Sequence, residues 1–184
     1  MVNIKYVSDK ASALVKTYET HDPFEICENL HINVKYKDLG YSLKAFYFYQ
    51  SRIKNIVINN RIHEPIQKVL CAHELGHAIL HEKSTAKAFQ EMELFVSTLP
   101  TEYEANLFAA EILIDDVELL ELLSYSEWSF FNIAKQLYIP AELLDFKFRI
   151  LQHKGYHFNS PVVSRSDFLK NNMSEYFTFE DLQI

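Results

Sequence analysis

The stretch that decides the fold is His73-Glu74-Leu75-Gly76-His77, set between Val69-Leu70-Cys71-Ala72 and Ala78-Ile79-Leu80. Read as a helix, residues four apart lie about 40° apart around the axis, so both imidazoles project from one face. One metal ion can then bind both nitrogens. The glutamate beside the first histidine is left to act on a metal-bound water rather than on the metal. Zinc peptidases use this arrangement. The pattern needs a helix, and Glu64 to His81 reads as one. Pro65 suits its first turn, and Ile66, Val69, Leu70, Ile79 and Leu80 fall at helical spacing. Gly76 is unfavourable in mid-helix by about 1 kcal/mol. Its missing Cβ permits close approach of another backbone.

Working outward, Ser8 is the expected cap of a first helix running to about Thr20, with Ala11, Leu14, Val15 and Tyr18 on one face. Asp22-Pro23 reads as the start of a second helix carrying Phe24, Ile26 and Leu30. Three short runs then have strand character: Ile32 to Tyr36, Leu43 to Tyr49, and Ile53 to Asn59. They make a small sheet, antiparallel in part, that feeds the His73 helix. The polar stretch from His81 to Pro100 is a long connection of the kind that covers a site. Beyond it Thr101-x-x-Glu104 has the form of a capping box. Ala105, Phe108, Ala109, Ile112 and Leu113 supply that helix's apolar stripe. Two short helices follow, at Trp128–Leu137 and Ala141–Leu151.

The fold class expected is α+β: a zincin-like small sheet packed on helices, with the His73 helix at the active site. A small region resembling a helix-turn-helix in spacing follows. The expected division is a metallopeptidase domain over 1–122, a helical appendage over 123–153 and a loosely packed tail over 154–184. Aromatic residues of that tail, such as Tyr176 and Phe177, are able to dock.

Composition narrows the function. The chain has 184 residues, 48% of them hydrophobic, enough for a real core. Its net charge of −7 argues against a nucleic-acid-binding surface. Glu127 to Leu151 carries three acids and three bases, without the basic excess of a DNA-reading helix. The two cysteines, Cys27 and Cys71, make no disulfide framework and fit a reducing cytosol. Cys71 reads as a core residue facing away from the metal. No signal peptide and no run of 18 apolar residues is visible, so a cytoplasmic location without membrane association is expected.

A catalytic zinc site takes three protein ligands and keeps one position for water. The helix after Thr101 offers Glu102, Glu104 and Glu111. Glu104 and Glu111 are seven apart and share a face, while Glu102 reads as pointing elsewhere. Glu104 is the choice, because it adjoins Ala105, where a small side chain allows close packing. Glu111 is the alternative. His81, on the histidine stripe, and Tyr103 are candidate residues beside the cleft; Tyr103 is near enough for an oxyanion donor, but a surface or core tyrosine is the stronger reading. His63 reads as a solvated loop histidine. Ile56 to Asn60 is the expected sheet edge for a substrate strand.

Cys71 to His81, CAHELGHAILH, followed by Glu102 to Ile114, EYEANLFAAEILI, resembles the ImmA/IrrE family of metallopeptidases. Those proteins carry an AHELGH helix and, some 25–30 residues later, a helix with an E-A-N-x-F-A-A signature. The resemblance covers about residues 55–115. It implies that His73, His77 and Glu104 bind zinc and that Glu74 is the catalytic base. It departs where the family's second helix runs into a Leu-Leu-Met-Pro-like turn and this chain reads Ile112-Leu113-Ile114-Asp115-Asp116. It also implies a target: a helix-turn-helix repressor, often encoded next door on a phage or mobile element, whose cleavage releases repressed genes. The function expected is therefore a gluzincin-like zinc endopeptidase with a narrow cytosolic protein substrate. The alternative is a regulatory binding protein that docks on a repressor with an idle or structural metal site. An intact Glu74 argues against that alternative, since a structural site needs no base.

Overall fold

Asn3, not Ser8, starts the first helix. Its carboxamide oxygen accepts from the Tyr6 backbone N–H at 3.0 Å, and α1 runs Ile4–Tyr18. An Asx cap was available five residues upstream of Ser8, and using it adds Val7 to the buried stripe with Ala11. Ser8 instead lies buried inside the helix, where its hydroxyl donates to Glu111 at 2.9 Å. The computed structural model describes residues 2–81, 100–124, 129–157 and 161. The long connection after His81 and most of the C-terminal tail, on which expectations were placed above, lie outside the described residues.

Asp22 caps α2 (Pro23–Asn29) through the Phe24 N–H at 2.8 Å, with Pro23 in the first turn as expected. Three strands follow: β1 (Asn33–Lys37), β2 (Ala45–Gln50) and β3 (Ile53–Asn59). The sheet order is β1-β3-β2. β1 runs parallel to β3, from Asn33↔Asn55 to Lys37↔Asn59. β2 runs antiparallel to it, from Ala45↔Ile58 to Gln50↔Ile53. The two-residue hairpin uses Ser51 and Arg52, both at positive φ (53° and 66°), which gives the twist a tight antiparallel connection needs. Buried Asn59 fixes the β1–β2 connection. Its amide donates to the carbonyls of Gly40 and Leu43, both at 2.8 Å.

This topology corrects one expectation. Ile56 to Asn60 falls largely in β3, the central strand, whose backbone groups are engaged on both sides. It cannot accept an added strand. Burial made β3 rich in β-branched residues, and an edge strand can read the same way in sequence. Among the described residues the edges are β1 and β2.

Helix α3 (Glu64–Leu80) follows, with exposed His63 at its N-cap and Pro65 in its first turn. It is buried on most of its circumference, from Ile66 to Ala78. It packs on β2 and β3, on α2, and most extensively on α4 (Pro100–Leu113). α4 already includes Pro100, so Thr101 lies inside the helix rather than capping it. α4 stops at Leu113, and Asp115 caps α5 (Asp116–Ser124) by accepting from the N–H groups of Val117 and Glu118, both at 2.9 Å. Asp116 instead meets the Lys147 and Lys154 ammonium groups, both at 2.6 Å.

α6 (Phe130–Gln136) and α7 (Ala141–His153) complete the described fold. Leu143, Leu144, Phe146, Ile150 and Leu151 of α7 belong to the same buried cluster as α3 and α4. α7 therefore packs into the same hydrophobic core as α3 and α4. α7 ends in a Schellman turn, with Gly155 at φ 99° and the Tyr156 N–H returning to the Leu151 carbonyl at 3.0 Å. Cys27 and Cys71 are both buried thiols in the core, their sulfurs 3.9 Å apart. The fold is α+β, with one three-stranded sheet and seven helices among the described residues. No described helix is long and apolar enough to cross a membrane.

Candidate metal centre

The α3 register carries His73 and His77 to one face, as the i, i+4 spacing requires. Their Nε2 atoms face each other at 3.2 Å. Glu102, in the first turn of α4, closes a triangle. Its Oε2 lies 3.4 Å from His73 Nε2, and its Oε1 lies 3.4 Å from His77 Nε2. These three residues are the group placed to hold a metal ion among the described residues.

The expected third member, Glu104, is not in this group. Its carboxylate lies 3.4 Å from His81 Nε2 instead. The physical reason is helix rotation. Ala105 faces α3 at Gly76, where a Cβ on the glycine would lie 3.1 Å from the Ala105 Cα. A residue adjacent in sequence is rotated by about 100° from that line, whereas one three positions earlier is rotated by only about 60°. Glu102 is therefore nearer the interface than Glu104. The reading that Glu102 points elsewhere was an error of phase.

Glu111 is likewise engaged elsewhere. It accepts from Lys147 at 2.7 Å, from Lys154 at 2.9 Å and from the Ser8 and Ser12 hydroxyls. Burial pushes its carboxyl up, but the two lysines and Ser12 outweigh this and hold it below its ordinary value. Tyr103 turns toward α7. Its hydroxyl accepts from Arg149 at 3.1 Å, and its ring meets Phe146 edge-on at 5.3 Å. It is not placed as an oxyanion donor. His81 sits at the C-cap of α3, its ring 5.6 Å from that of His77. Burial, then the charge of His77, lowers its basicity.

Glu74 lies beside the triangle, buried at 8% exposure. Burial raises its carboxyl to about 7 and nearby Glu102 adds to this, while His77 and the Tyr47 backbone N–H pull the other way. A carboxyl near neutrality is suited to exchanging protons at physiological pH. Glu102 behaves oppositely. Burial disfavours its charge, but hydrogen bonds and charges from His73 and His77 overcome that and hold it well below the ordinary carboxylate range. The two carboxyl groups are thus pushed apart, one held as an anion and one poised to take up a proton.

One member of the site stood in the E-A-N signature without being given a role. Asn106 is fully buried, and its Oδ1 lies 2.8 Å from His73 Nδ1. The signal was present as Glu102-x-x-x-Asn106, a second i, i+4 pair on the helix that faces the first.

A helix bearing two convergent imidazoles and a buried glutamate, faced by a helix bearing a third donor, is an arrangement that could hold a metal ion. Residues 27–149 match the IrrE N-terminal-like domain family, Peptidase_M78, and the chain belongs to that family. It is 37% identical over 134 residues to the uncharacterized immunity region protein 2 of Bacillus phage phi105, covering 73% of this chain and 84% of the relative. It is 30% identical over 146 residues to the metallopeptidase ImmA of Bacillus subtilis (strain 168), covering 78% of this chain and 84% of that protein.

Proposed function

We propose that this chain is a gluzincin-like zinc endopeptidase whose target is a specific cytosolic protein, a helix-turn-helix repressor, and whose cleavage relieves repression. The observation that carries the reading is the triangle of His73, His77 and Glu102 with buried Glu74 beside it. Zinc with ligands about 2.0–2.1 Å away in a tetrahedron holds them about 3.3 Å apart. The two Nε2 atoms here are 3.2 Å apart, and each has one oxygen of the Glu102 carboxylate 3.4 Å away, so the three residues are close enough to share the ion. Two imidazoles and one carboxylate are also a donor set that catalytic zinc uses.

When bound, zinc supplies Lewis acidity to a peptide carbonyl and acidifies the attacking water. The remaining roles fall to the chain. Glu74 takes the proton of that water on its carboxylate and returns it to the leaving amide nitrogen. The Tyr47 backbone N–H, on β2, holds the Glu74 carboxylate in place. Because β2 is an edge strand, a substrate segment laid along it would pass beside Glu74.

The repressor assignment rests on the family resemblance and on the two relatives, one an immunity region protein and one a metallopeptidase. The test uses the purified full chain and, where the neighbouring gene encodes a helix-turn-helix protein, that protein in purified form. Mass spectrometry should find two fragments, none after treatment with a zinc chelator, and both again after zinc is restored. An intact partner under all three conditions would overturn the reading.

A further inference from the structure

We propose that Asn106 is a positioning residue that fixes the tautomer of His73 and so presents its Nε2 lone pair to the metal. This rests on the metallopeptidase reading above and names a part of the site that the reading does not require.

The carboxamide oxygen of Asn106 lies 2.8 Å from His73 Nδ1. A carboxamide oxygen only accepts, so the shared hydrogen belongs to Nδ1. In a neutral imidazole that leaves Nε2 unprotonated, and Nε2 is the atom that faces His77 and Glu102. Ligating histidines are held this way, by an acceptor on the nitrogen that does not bind the metal.

Asn106 is wholly inaccessible and sits between apolar neighbours in sequence, Ala105 and Leu107, both fully buried. An apolar side chain would satisfy packing at that position. A buried amide is unfavourable unless its hydrogen bonds are made. The residue stands one helical turn after Glu102, so a single face of α4 supplies both a donor atom and the support for a histidine of α3.

The experiment starts with the metal-free wild-type chain. Long-range proton–nitrogen correlation spectra are recorded at alkaline pH, and the His73 signals are assigned by their loss in His73→Gln. The expected result is a proton on Nδ1; a proton on Nε2 in the wild type overturns the proposal whatever the variants do. Zinc affinity is then measured by competition with a chromophoric chelator. Asn106→Asp keeps the acceptor and should bind zinc within a few-fold of wild type. Asn106→Leu should lose about 10–100-fold. Equal zinc affinity of a folded Asn106→Leu and wild type would overturn the proposal. Failure of the wild type itself to bind zinc would instead sink the metallopeptidase reading on which it rests.

Discussion

Gly76 and Ala105 meet backbone to backbone across the α3–α4 interface: a Cβ at Gly76 would lie 3.1 Å from the Ala105 Cα and 3.3 Å from its carbonyl oxygen. This contact sets the phase of α4, and the phase decides which of its side chains reach the histidines. Gly76→Ala gains about 1 kcal/mol of helix propensity. It also forces the Ala105 backbone and Phe108 to give way, and overpacking of this kind typically costs about 1–3 kcal/mol. We expect a lower midpoint in chemical denaturation and a larger proportional loss of zinc affinity, because Glu102 and Asn106 move with α4. Zinc affinity equal to wild type would show that the contact does not set the site.

The third ligand separates cleanly by substitution. Glu102→Ala should reduce zinc affinity by more than the about 10–100-fold typical of losing an outer partner. Glu104→Ala should leave it within a few-fold, since Glu104 faces His81. Chelator competition on both variants measures this. The opposite ranking would restore Glu104 as the ligand.

Away from the site, Glu111 and Asp116 share Lys147 and Lys154 in a largely buried ion network joining α4, α5 and α7. Breaking a buried pair typically costs about 3–5 kcal/mol. Lys154 still contacts Glu111, so Lys147→Met should fall near the lower end, read from urea unfolding. The pH dependence has a definite sign. Both carboxyls are held below their ordinary values in the fold, since the lysines outweigh the upward push of burial. Their stabilisation is present above the ordinary carboxylate pKa values of 4.5 and 3.8. It is lost as pH falls through the lowered folded values. The stability gap between wild type and Lys147→Met should therefore narrow in acid. A gap that widens in acid would contradict the network's role.

How much of this was legible in sequence follows from what each element depends on. β3 was read to its ends, and α2 and α3 to within a residue or two, because their caps, β-branched runs and helical spacing are local. Two histidines four apart on one helix likewise fix their own relative geometry. The third ligand depends on how α4 rotates against α3, a property of two helices together. Ala105 held that phase, and the error was to choose its sequence neighbour rather than its neighbour on the helix surface. Asn106 was missed for a related reason: its partner is on another helix. The centrality of β3 was hidden because sheet order is set by pairing, not by the strand's own residues. Glu111 looked available as a ligand until Lys147, 36 residues later, was placed beside it.

The most direct test of the account is cleavage of the co-expressed helix-turn-helix protein by Glu74→Gln beside wild type, followed by intact-protein mass spectrometry. The substitution removes the proton acceptor and leaves His73, His77 and Glu102 in place. The account predicts that the variant retains one zinc per chain and leaves the partner whole, while wild type cuts it at one position. Cleavage by Glu74→Gln at the wild-type rate would contradict it.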